Sequence, residues 1–284
     1  REFILLKDKM RAATMTGQWQ QLENLGTEAI RLCPSSSDGY HGLGLSYLRR
    51  GGTFAAVRHF RQALLRGDTP NIHLRLAEAY FVLNQHKFFA EEIAAAKAVN
   101  PDDPEPYYVA GRFLFQAKNE LNSAAEEFRQ ALARDPEHFK ARCYLGLSLK
   151  NMQHDTEAEQ QFLKAIQLID AKRVSFYLPY QALASFYLER NRVAEARPLI
   201  QRAVEMQSDV AANQFLLGKI AWMQKDEEVA VRALRTAISL DEAFIEARYL
   251  LAKIHQTRGD RDAARQELKN FEVSKELYGK GRLQ

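Results

Sequence analysis

A pair of adjacent residues, an aliphatic residue followed by glycine or alanine, recurs along this chain at a nearly constant spacing. The pairs are Leu43-Gly44, Leu76-Ala77, Ala110-Gly111, Leu145-Gly146, Leu183-Ala184, Leu217-Gly218 and Leu251-Ala252. Successive pairs are 33, 34, 35, 38, 34 and 34 residues apart. Such a period indicates small structural units that cannot bury an apolar face alone and therefore stack into a continuous core.

Residues 139–172 show how one unit is built. Leu145 and Leu149 lie four residues apart and therefore share one face of a helix. A short polar stretch follows, and Ala158 and Phe162 then mark the apolar face of a second helix. Similar pairs follow in other units: Ala56/Phe60, Ala124/Phe128, Ala196/Ile200, Ala230/Leu234 and Ala264/Leu268. Each unit is thus predicted to consist of two short amphipathic helices joined by a tight turn.

Two local expectations concern the helix interior and the helix start. Gly146 lies in the middle of the first helix, where glycine costs about 1 kcal/mol relative to alanine. This cost is understandable if another backbone packs close to it. Thr156 and Glu159 have the spacing of a capping box, which predicts Thr156 as the N-cap of the second helix. The stretch from Asn122 to Glu126 is predicted to cap the corresponding helix one unit earlier.

One unit carries a longer recognisable pattern, Tyr40-x2-Leu43-Gly44-x2-Tyr47 followed by Ala56-x3-Phe60. This pattern resembles that of the tetratricopeptide repeat family, which reads W-x2-L-G-x2-Y…A-x3-F…P over 34 residues. Pro34, Pro101 and Pro136 stand where the family places its last proline. The resemblance implies an all-α fold, a right-handed α-solenoid superhelix of about eight helix-turn-helix units.

The repeat covers nearly the whole chain as one solenoid, residues 1–284. The predicted units are residues 1–36, 37–69, 70–103, 104–138, 139–172, 177–210, 211–244 and 245–278. Residues 173–176 are an insertion, so we expect the preceding helix or the following loop to be longer there. No further capping helix follows the last unit, so Leu268 and Phe271 are expected to leave apolar surface exposed for self-association or for a longer chain.

The resemblance also implies where a partner binds, because the family's first helices line an inner groove that holds extended peptides or partner helices. Three positions of each first helix share a face distinct from the buried leucines. The residues predicted to contact a partner are Leu45, Leu48, Glu78, Phe81, Tyr108, Arg112, Phe115, Lys150, Phe215, Lys219, Trp222, Tyr249 and Lys253. The alternative is that some of them pack between neighbouring first helices.

Two cationic features offer other interpretations. Residues 37–69 contain five arginines against two aspartates, which indicates either an anion-binding patch or a solvated face with arginines near a helix C-terminus. One subset of the family grips a carboxylate with Lys, Arg and Asn side chains, and Lys7, Arg11 and Arg75 lie near such positions. Gly42 and Arg11 stand where that subset has asparagine, which argues against such a clamp.

Composition and motifs restrict the class of function. The chain is 46% apolar and 27% charged with a net charge of +4, an excess too small to require nucleic acid. There is no metalloprotease, phosphate-loop or paired-cysteine motif, so neither an enzyme nor a cofactor or metal site is predicted. Cys33 and Cys143 lie several units apart, too far for a disulfide. Free thiols favour the cytoplasm, although a periplasmic protein that lost a signal peptide would also begin without methionine, as at Arg1.

These observations predict a non-catalytic scaffold that binds a protein or peptide partner and has no membrane span. Two alternatives stay open. One is a helical-repeat protein that binds nucleic acid through basic patches such as Arg58 and Arg61. The other is the adaptor region of a larger multidomain enzyme or of a secretion or assembly complex.

Overall fold

Helices make up nearly all of the secondary structure. A computed structural model of the chain describes residues 2–67 and 69–278, and this part contains sixteen α-helices and one short π-helical segment. The α-helices are α1 Glu2–Met15, α2 Trp19–Leu32, α3 Ser37–Arg49, α4 Thr53–Leu64, α5 Pro70–Val82, α6 His86–Val99, α7 Pro104–Phe113, α8 Leu121–Arg134, α9 Phe139–Asn151, α10 Asp155–Lys172, α11 Leu178–Glu189, α12 Val193–Met206, α13 Ala211–Met223, α14 Glu227–Leu240, α15 Ile245–Arg258 and α16 Arg261–Tyr278. The predicted all-α fold of paired helices is confirmed.

The chain divides into two compact units, residues 1–141 (unit 1) and residues 142–284 (unit 2), with the division near the start of α9. The helices α1, α3, α5, α7, α11, α13 and α15 each pack against the helix that follows, and Gly146 of α9 faces Phe162 of α10. The core of unit 1 includes Leu6, Met10, Leu45 and Phe60, and that of unit 2 includes Leu234 among its buried residues. A single solenoid over residues 1–284 stays a prediction.

Every helical pair turns at one residue in the left-handed conformation. These residues are Gly17, Gly51, Asn84, Asn119, Gln153, Asn191, Lys225 and Gly259, with φ between 53° and 83°. The backbone N–H that follows this residue donates back into the first helix, as when the His154 N–H donates to the Leu149 carbonyl at 2.9 Å. This is the bond that terminates a helix with a left-handed cap, so the turn is held by backbone groups.

The backbone turn also explains why both predicted caps were wrong. Helix α10 begins at Asp155 after His154, and Thr156 lies inside its first turn. Helix α8 begins at Leu121 after Glu120, so Asn122 is likewise helical. The N-cap position falls on the residue after the left-handed one, which is His154 in α10 and Glu120 in α8, so Thr156 and Asn122 lie inside the first turn.

The small residue of the repeated pair contacts a side chain, whereas the sequence suggested a backbone. A Cβ atom placed on Gly146 would come within 2.7 Å of the Phe162 ring. Gly44 and Gly111 face Phe60 and Phe128 in the same way. The small residue of the first helix and the aromatic residue of the second helix are therefore the two sides of one contact. The second helix inserts its aromatic ring beside the small residue of the first helix.

Two irregular spacings have local structural causes. The residues inserted after position 172 follow a lengthened α10 of 18 residues, which ends at Arg173 in the left-handed conformation. This confirms the expected lengthening. The 35-residue step is accompanied by the π-helical segment Leu114–Lys118 between α7 and α8. A π turn accommodates one extra residue within a helix, so the repeat stays in register beyond it.

The last helix exposes apolar side chains, as predicted. Leu268 is exposed, as are Val273 and Leu277 of the same helix, whereas Phe271 is only partly exposed. Self-association through α16 stays a prediction. Residues 279–284, for which no capping helix was predicted, lie outside the described residues. Across residues 2–67 and 69–278, no helix combines the length and apolar character that a membrane span requires.

Candidate functional site

Five residues predicted to contact a partner line one cavity in unit 2. They are Phe215, Lys219, Trp222, Tyr249 and Lys253, and they come from α13 and α15. The cavity has a volume of about 640 Å³ and is also lined by residues that include Met223, Ile245, Leu250 and Phe271. We call it the α13–α15 pocket.

The walls of this pocket rest on a packed core. Phe215 and Trp222 pack against the buried cluster that contains Leu234, and the Phe215 ring lies 5.1 Å from that of Phe244. Tyr249 is 53% exposed, and its ring centroid lies 5.6 Å from that of Phe271 on α16. The aromatic rings are thus held in place on one side and accessible on the other.

The positive charge of the pocket comes from two lysines on neighbouring first helices. Lys219 directly follows the small residue Gly218, which packs against Leu234, and Lys253 holds the same motif position one repeat later. Both lysines are exposed, and neither forms an ion pair within residues 2–67 and 69–278. Glu246 is the acidic residue of the lining. Two exposed ammonium groups therefore flank a largely apolar surface.

A second cavity of about 540 Å³ adjoins the first and shares Phe215, Lys219 and Met223 with it. Its other walls come from α9 and α11 and include the predicted residue Lys150. Lys150 forms an ion pair with Glu189 at 2.6 Å, so its charge is already balanced. Together the two cavities form a surface on the first helices of unit 2.

In unit 1, three of the seven predicted residues are buried by packing. Leu45 is only 6% exposed, and Leu48 and Tyr108 are also buried. The ring of Tyr108 lies 4.9 Å from that of His138. For these three residues the structure matches the alternative in which first-helix residues pack within the fold, so they present little surface to a partner.

The remaining predicted residues of unit 1 are partly accessible. Glu78 accepts hydrogen bonds from Arg49 at 2.8 Å and from Arg75 at 2.9 Å. Phe81 is exposed and packs edge-on against Phe113, with 6.1 Å between ring centroids. These contacts satisfy the Glu78 carboxylate and hold the Phe81 ring.

Arg112 and Phe115 lie at the end of α7 and in the π-helical segment, respectively. The Arg112 guanidinium lies 5.8 Å from the Tyr108 ring centroid. Because the π turn rotates the residues after it relative to a regular α-helix, the position of Phe115 cannot be derived from α-helical spacing.

A small cavity of about 260 Å³ between α1 and α3 contains two of the residues considered for a carboxylate clamp, Lys7 and Arg11. Lys7 forms an ion pair with Asp38 at 3.0 Å. His41 lines the same cavity, and burial, followed by the charge of Arg75, lowers its pKa to about 4. The imidazole is thus neutral at physiological pH.

Groups suited to catalysis are not gathered at these surfaces. Within residues 2–67 and 69–278, no group of three or more His, Cys, Asp or Glu side chains is arranged to hold a metal ion. Cys143 is fully buried, and burial raises the pKa of its thiol well above the usual range. A buried neutral thiol is a poor nucleophile.

Sequence analysis missed several apolar residues of the α13–α15 pocket. Ile245 and Leu250 lie on α15 outside the three positions used for the prediction, and Phe271 belongs to the final second helix. Phe271 was noted only as an exposed apolar residue. The signal that could have located it is its helical spacing, because Phe271 lies three residues after Leu268 on the same second helix.

Comparison with known proteins agrees with this architecture. The family model described as tetratricopeptide repeat matches residues 41–104, 114–172 and 182–243, which is more than half of the chain. Among solved structures, a chain of the APC/C hetero-tetramer Cut9-Hcn1 is similar with 16% identity and a TM-score of 0.73. The match covers 86% of this chain and 48% of that one, so the present chain spans about half of its length.

Two further solved structures are similar over most of their own length. Pseudomonas aeruginosa pilF has 22% identity and a TM-score of 0.66, with coverage of 76% of this chain and 97% of that one. YrrB, described as a TPR protein with an unusual peptide-binding site, has 20% identity and a TM-score of 0.53, with coverage of 66% and 93%. At these identities the structures demonstrate a shared fold, and together with the match to the family model they lead to one conclusion: the chain belongs to the tetratricopeptide repeat family.

Proposed function

We propose that this chain is a non-catalytic protein-interaction scaffold that binds an extended or helical segment of a partner protein on the first helices of unit 2. The observation that carries the proposal is the α13–α15 pocket. It combines Phe215, Trp222 and Tyr249 with two exposed lysines that have no ion-pair partner among the described residues.

The chemistry of the pocket suits a segment with apolar anchors and carboxylates. Aromatic side chains that are already held by packing lose little entropy on binding and often contribute most of the affinity. Lys219 and Lys253 would attract acidic side chains and orient the segment. The adjoining cavity on α9 and α11 extends the surface, so a segment longer than one side chain could be accommodated.

The comparisons support a binding function without naming the partner. YrrB is described as having a peptide-binding site, and the Cut9-Hcn1 structure is a hetero-tetramer. These statements concern those proteins, and they support our proposal by showing that this fold can serve protein assembly.

Nucleic acid is a less suitable ligand for this surface. Affinity for a phosphate backbone grows with the number of cations that contact it. Here Lys150 is paired with Glu189 and a further carboxylate, Glu246, lines the pocket, which leaves Lys219 and Lys253 as the unpaired lysines of the described lining.

The test is a pull-down from native lysate with and without nuclease, followed by affinity measurement with the captured partner. The variant Lys219→Glu/Lys253→Glu reverses the charge of the pocket, and Tyr249→Ser removes an exposed ring. Both changes affect exposed side chains and are expected to leave the fold intact. We expect a protein that survives nuclease treatment and whose affinity falls by at least about tenfold in either variant.

The matched control is Arg232→Glu/Arg235→Glu on α14, which makes the same charge change on exposed residues of the same unit. It should bind the partner like the wild type. A partner retained equally by the pocket variants would refute the proposed site, and material that disappears with nuclease would favour nucleic acid.

A further inference from the structure

The arginine-rich second repeat forms a separate cavity that the first-helix surface does not use. This cavity, the α4–α6 pocket, has a volume of about 360 Å³. Phe54, Val57, Arg58, Arg61, Leu83 and Phe88 are among the residues that line it. It lies between the second helices α4 and α6 of unit 1, beside the end of α5, so it is distinct from the α13–α15 pocket.

The apolar wall of the α4–α6 pocket is unusually exposed. Phe54 is 73% exposed and Phe88 is 41% exposed. Phe54 lies two residues before the motif alanine Ala56. The residues at the same position in later second helices are polar or small: Asn122, Thr156, Ala194, Glu228 and Asp262. A phenyl ring at this motif position is therefore particular to α4 among these second helices and is not a requirement of the fold.

Two arginines supply the charge of the pocket. Arg61 donates a hydrogen bond to the Tyr80 hydroxyl at 2.7 Å, which holds its guanidinium beside the apolar wall. Arg58 is exposed and forms no ion pair within residues 2–67 and 69–278. An adjoining cavity of about 520 Å³ shares both arginines, and neither described lining contains a carboxylate. The surface thus offers a fixed cation, a free cation and an apolar recess.

Helix α14 shows what the same motif looks like without this combination. Arg232 and Arg235 hold the positions of Arg58 and Arg61 relative to the motif alanine. Glu228 stands in place of Phe54, and it pairs with Arg232 at 3.6 Å. In α14 the arginine charge is therefore partly balanced and the apolar anchor is missing.

We propose that the α4–α6 pocket binds an acidic segment of a protein partner that carries an aromatic or aliphatic side chain next to its carboxylates. The apolar side chain would enter the recess beside Phe54 and Phe88, and the carboxylates would pair with Arg58 and Arg61. Charge complementarity selects this occupant, since the lining presents arginines without acidic residues.

A protein segment fits better than a nucleic-acid strand because the cations do not continue along the unit. On α6, Lys87 pairs with Glu91 at 3.9 Å. On α8, Glu127 accepts from Lys97 at 2.7 Å and Glu126 is exposed. A phosphate backbone that extended from Arg58 along the second helices would meet these carboxylates.

The test uses a phage-displayed library of random short peptides panned on the full chain. Clones are then sorted by whether they still bind the variant Phe54→Ser/Arg58→Glu. We expect a class of clones that depends on these two residues, is rich in Asp or Glu and contains an aromatic or leucine residue. For a synthetic peptide from this class, the variant should raise the dissociation constant at least about tenfold.

Two controls separate this pocket from the other surfaces. Arg232→Glu/Arg235→Glu and Lys219→Glu/Lys253→Glu should leave the affinity of these peptides unchanged within about twofold. Absence of any clone that depends on Phe54 and Arg58 would overturn the proposal, as would dependent clones without acidic residues. Tighter binding of a single-stranded oligonucleotide than of the peptides, lost in the same variant, would replace it with nucleic acid.

Discussion

The same motif position is closed at Leu45 in unit 1 and open at Lys219 in unit 2. Leu45 and Lys219 both follow the small residue of the repeated pair, but Leu45 is buried and Lys219 is exposed. In unit 1, Met10 of α1 belongs to the same core cluster as Leu45 and lines a cavity with it. The difference shows that the exposure of a repeat position depends on the helix packed against it.

Among the second helices, the exposed aromatic residue beside the two arginines lies in unit 1 and has no counterpart on α14 of unit 2. In unit 1, α4 exposes Phe54 beside Arg58 and Arg61, whereas in unit 2 the equivalent residues of α14 are Glu228 and two arginines. We therefore infer that unit 1 binds through second helices and unit 2 through first helices. On this inference, one structural motif presents aromatic rings beside cations at two different positions of the repeat.

The largest expected difference between the two units comes from truncating Leu45 and Lys219, the two residues at this motif position. Leu45→Ala should lower the free energy of unfolding by about 2–5 kcal/mol, because it leaves a cavity in the core of unit 1. Lys219→Ala should change it by less than about 0.5 kcal/mol, because the side chain is exposed. Urea unfolding followed by circular dichroism gives both values, and amide exchange in α3 and α13 shows which unit responds, since repeat arrays need not unfold in one step. Equal losses would mean that the two positions are equivalent after all.

A smaller, pH-dependent effect should distinguish His41 of unit 1 from its motif equivalent Phe215 of unit 2. The pKa of His41 is lowered to about 4 in the folded chain, first by burial and then by Arg75, against 6.5 for an ordinary histidine. Below pH 6.5 the unfolded chain therefore binds a proton that the folded chain does not. The free energy of unfolding should fall as the pH decreases from 6.5 to 4, by about 3 kcal/mol in total from this residue.

The free energy of unfolding is measured against pH for the wild type and for His41→Gln. Glutamine does not titrate, and the contributions of the carboxylates that both chains share cancel in the difference. The free energy of unfolding of the wild type minus that of the variant should be constant above pH 7 and should decrease as the pH falls towards 4. A difference that stays flat over this range would show that His41 is accessible to protons in the folded chain. Unit 1 would then be more open at this position than its packing indicates.

The smallest effect concerns ion pairs on the first helices, which both units contain. Glu78 holds Arg49 and Arg75 on a partly exposed face. Glu78→Gln should cost about 0.5 kcal/mol, and the cost should shrink as salt is added, because exposed ion pairs are weak and screened. Glu189→Gln, which releases Lys150 in unit 2, is the matched control and should behave alike. A salt-independent loss at Glu78 would instead indicate a buried structural role.

Much of the fold and part of the candidate site could be predicted from the sequence. The pairing of Gly146 with Phe162 is short-range, so the repeated spacing reveals it. The face that carries Phe215, Lys219 and Trp222 also follows from helical spacing, and these residues do line one pocket. Prediction was less direct where the helix was irregular, because Phe115 lies in the π-helical segment, to which α-helical spacing does not apply.

The turns and caps show a second reason for incorrect predictions. Gln153 and Lys225 adopt left-handed φ values, although neither residue type favours that conformation. The packing of two helices imposes the turn there, and Thr156 is consequently inside α10 rather than at its cap. At these positions the geometry of the helical pair outweighs the conformational propensity of the individual residues.

The sequence by itself determined the repeat, the two helices of each unit and the face on which each side chain lies, because these depend on contacts between residues close along the chain. Only the tertiary structure decided which copies of that face are accessible. Leu45 is covered and Lys219 is open because accessibility depends on the neighbouring helices, and their side chains differ from one repeat to the next. Helical spacing places a residue on a face, whereas packing determines whether that face can meet a partner.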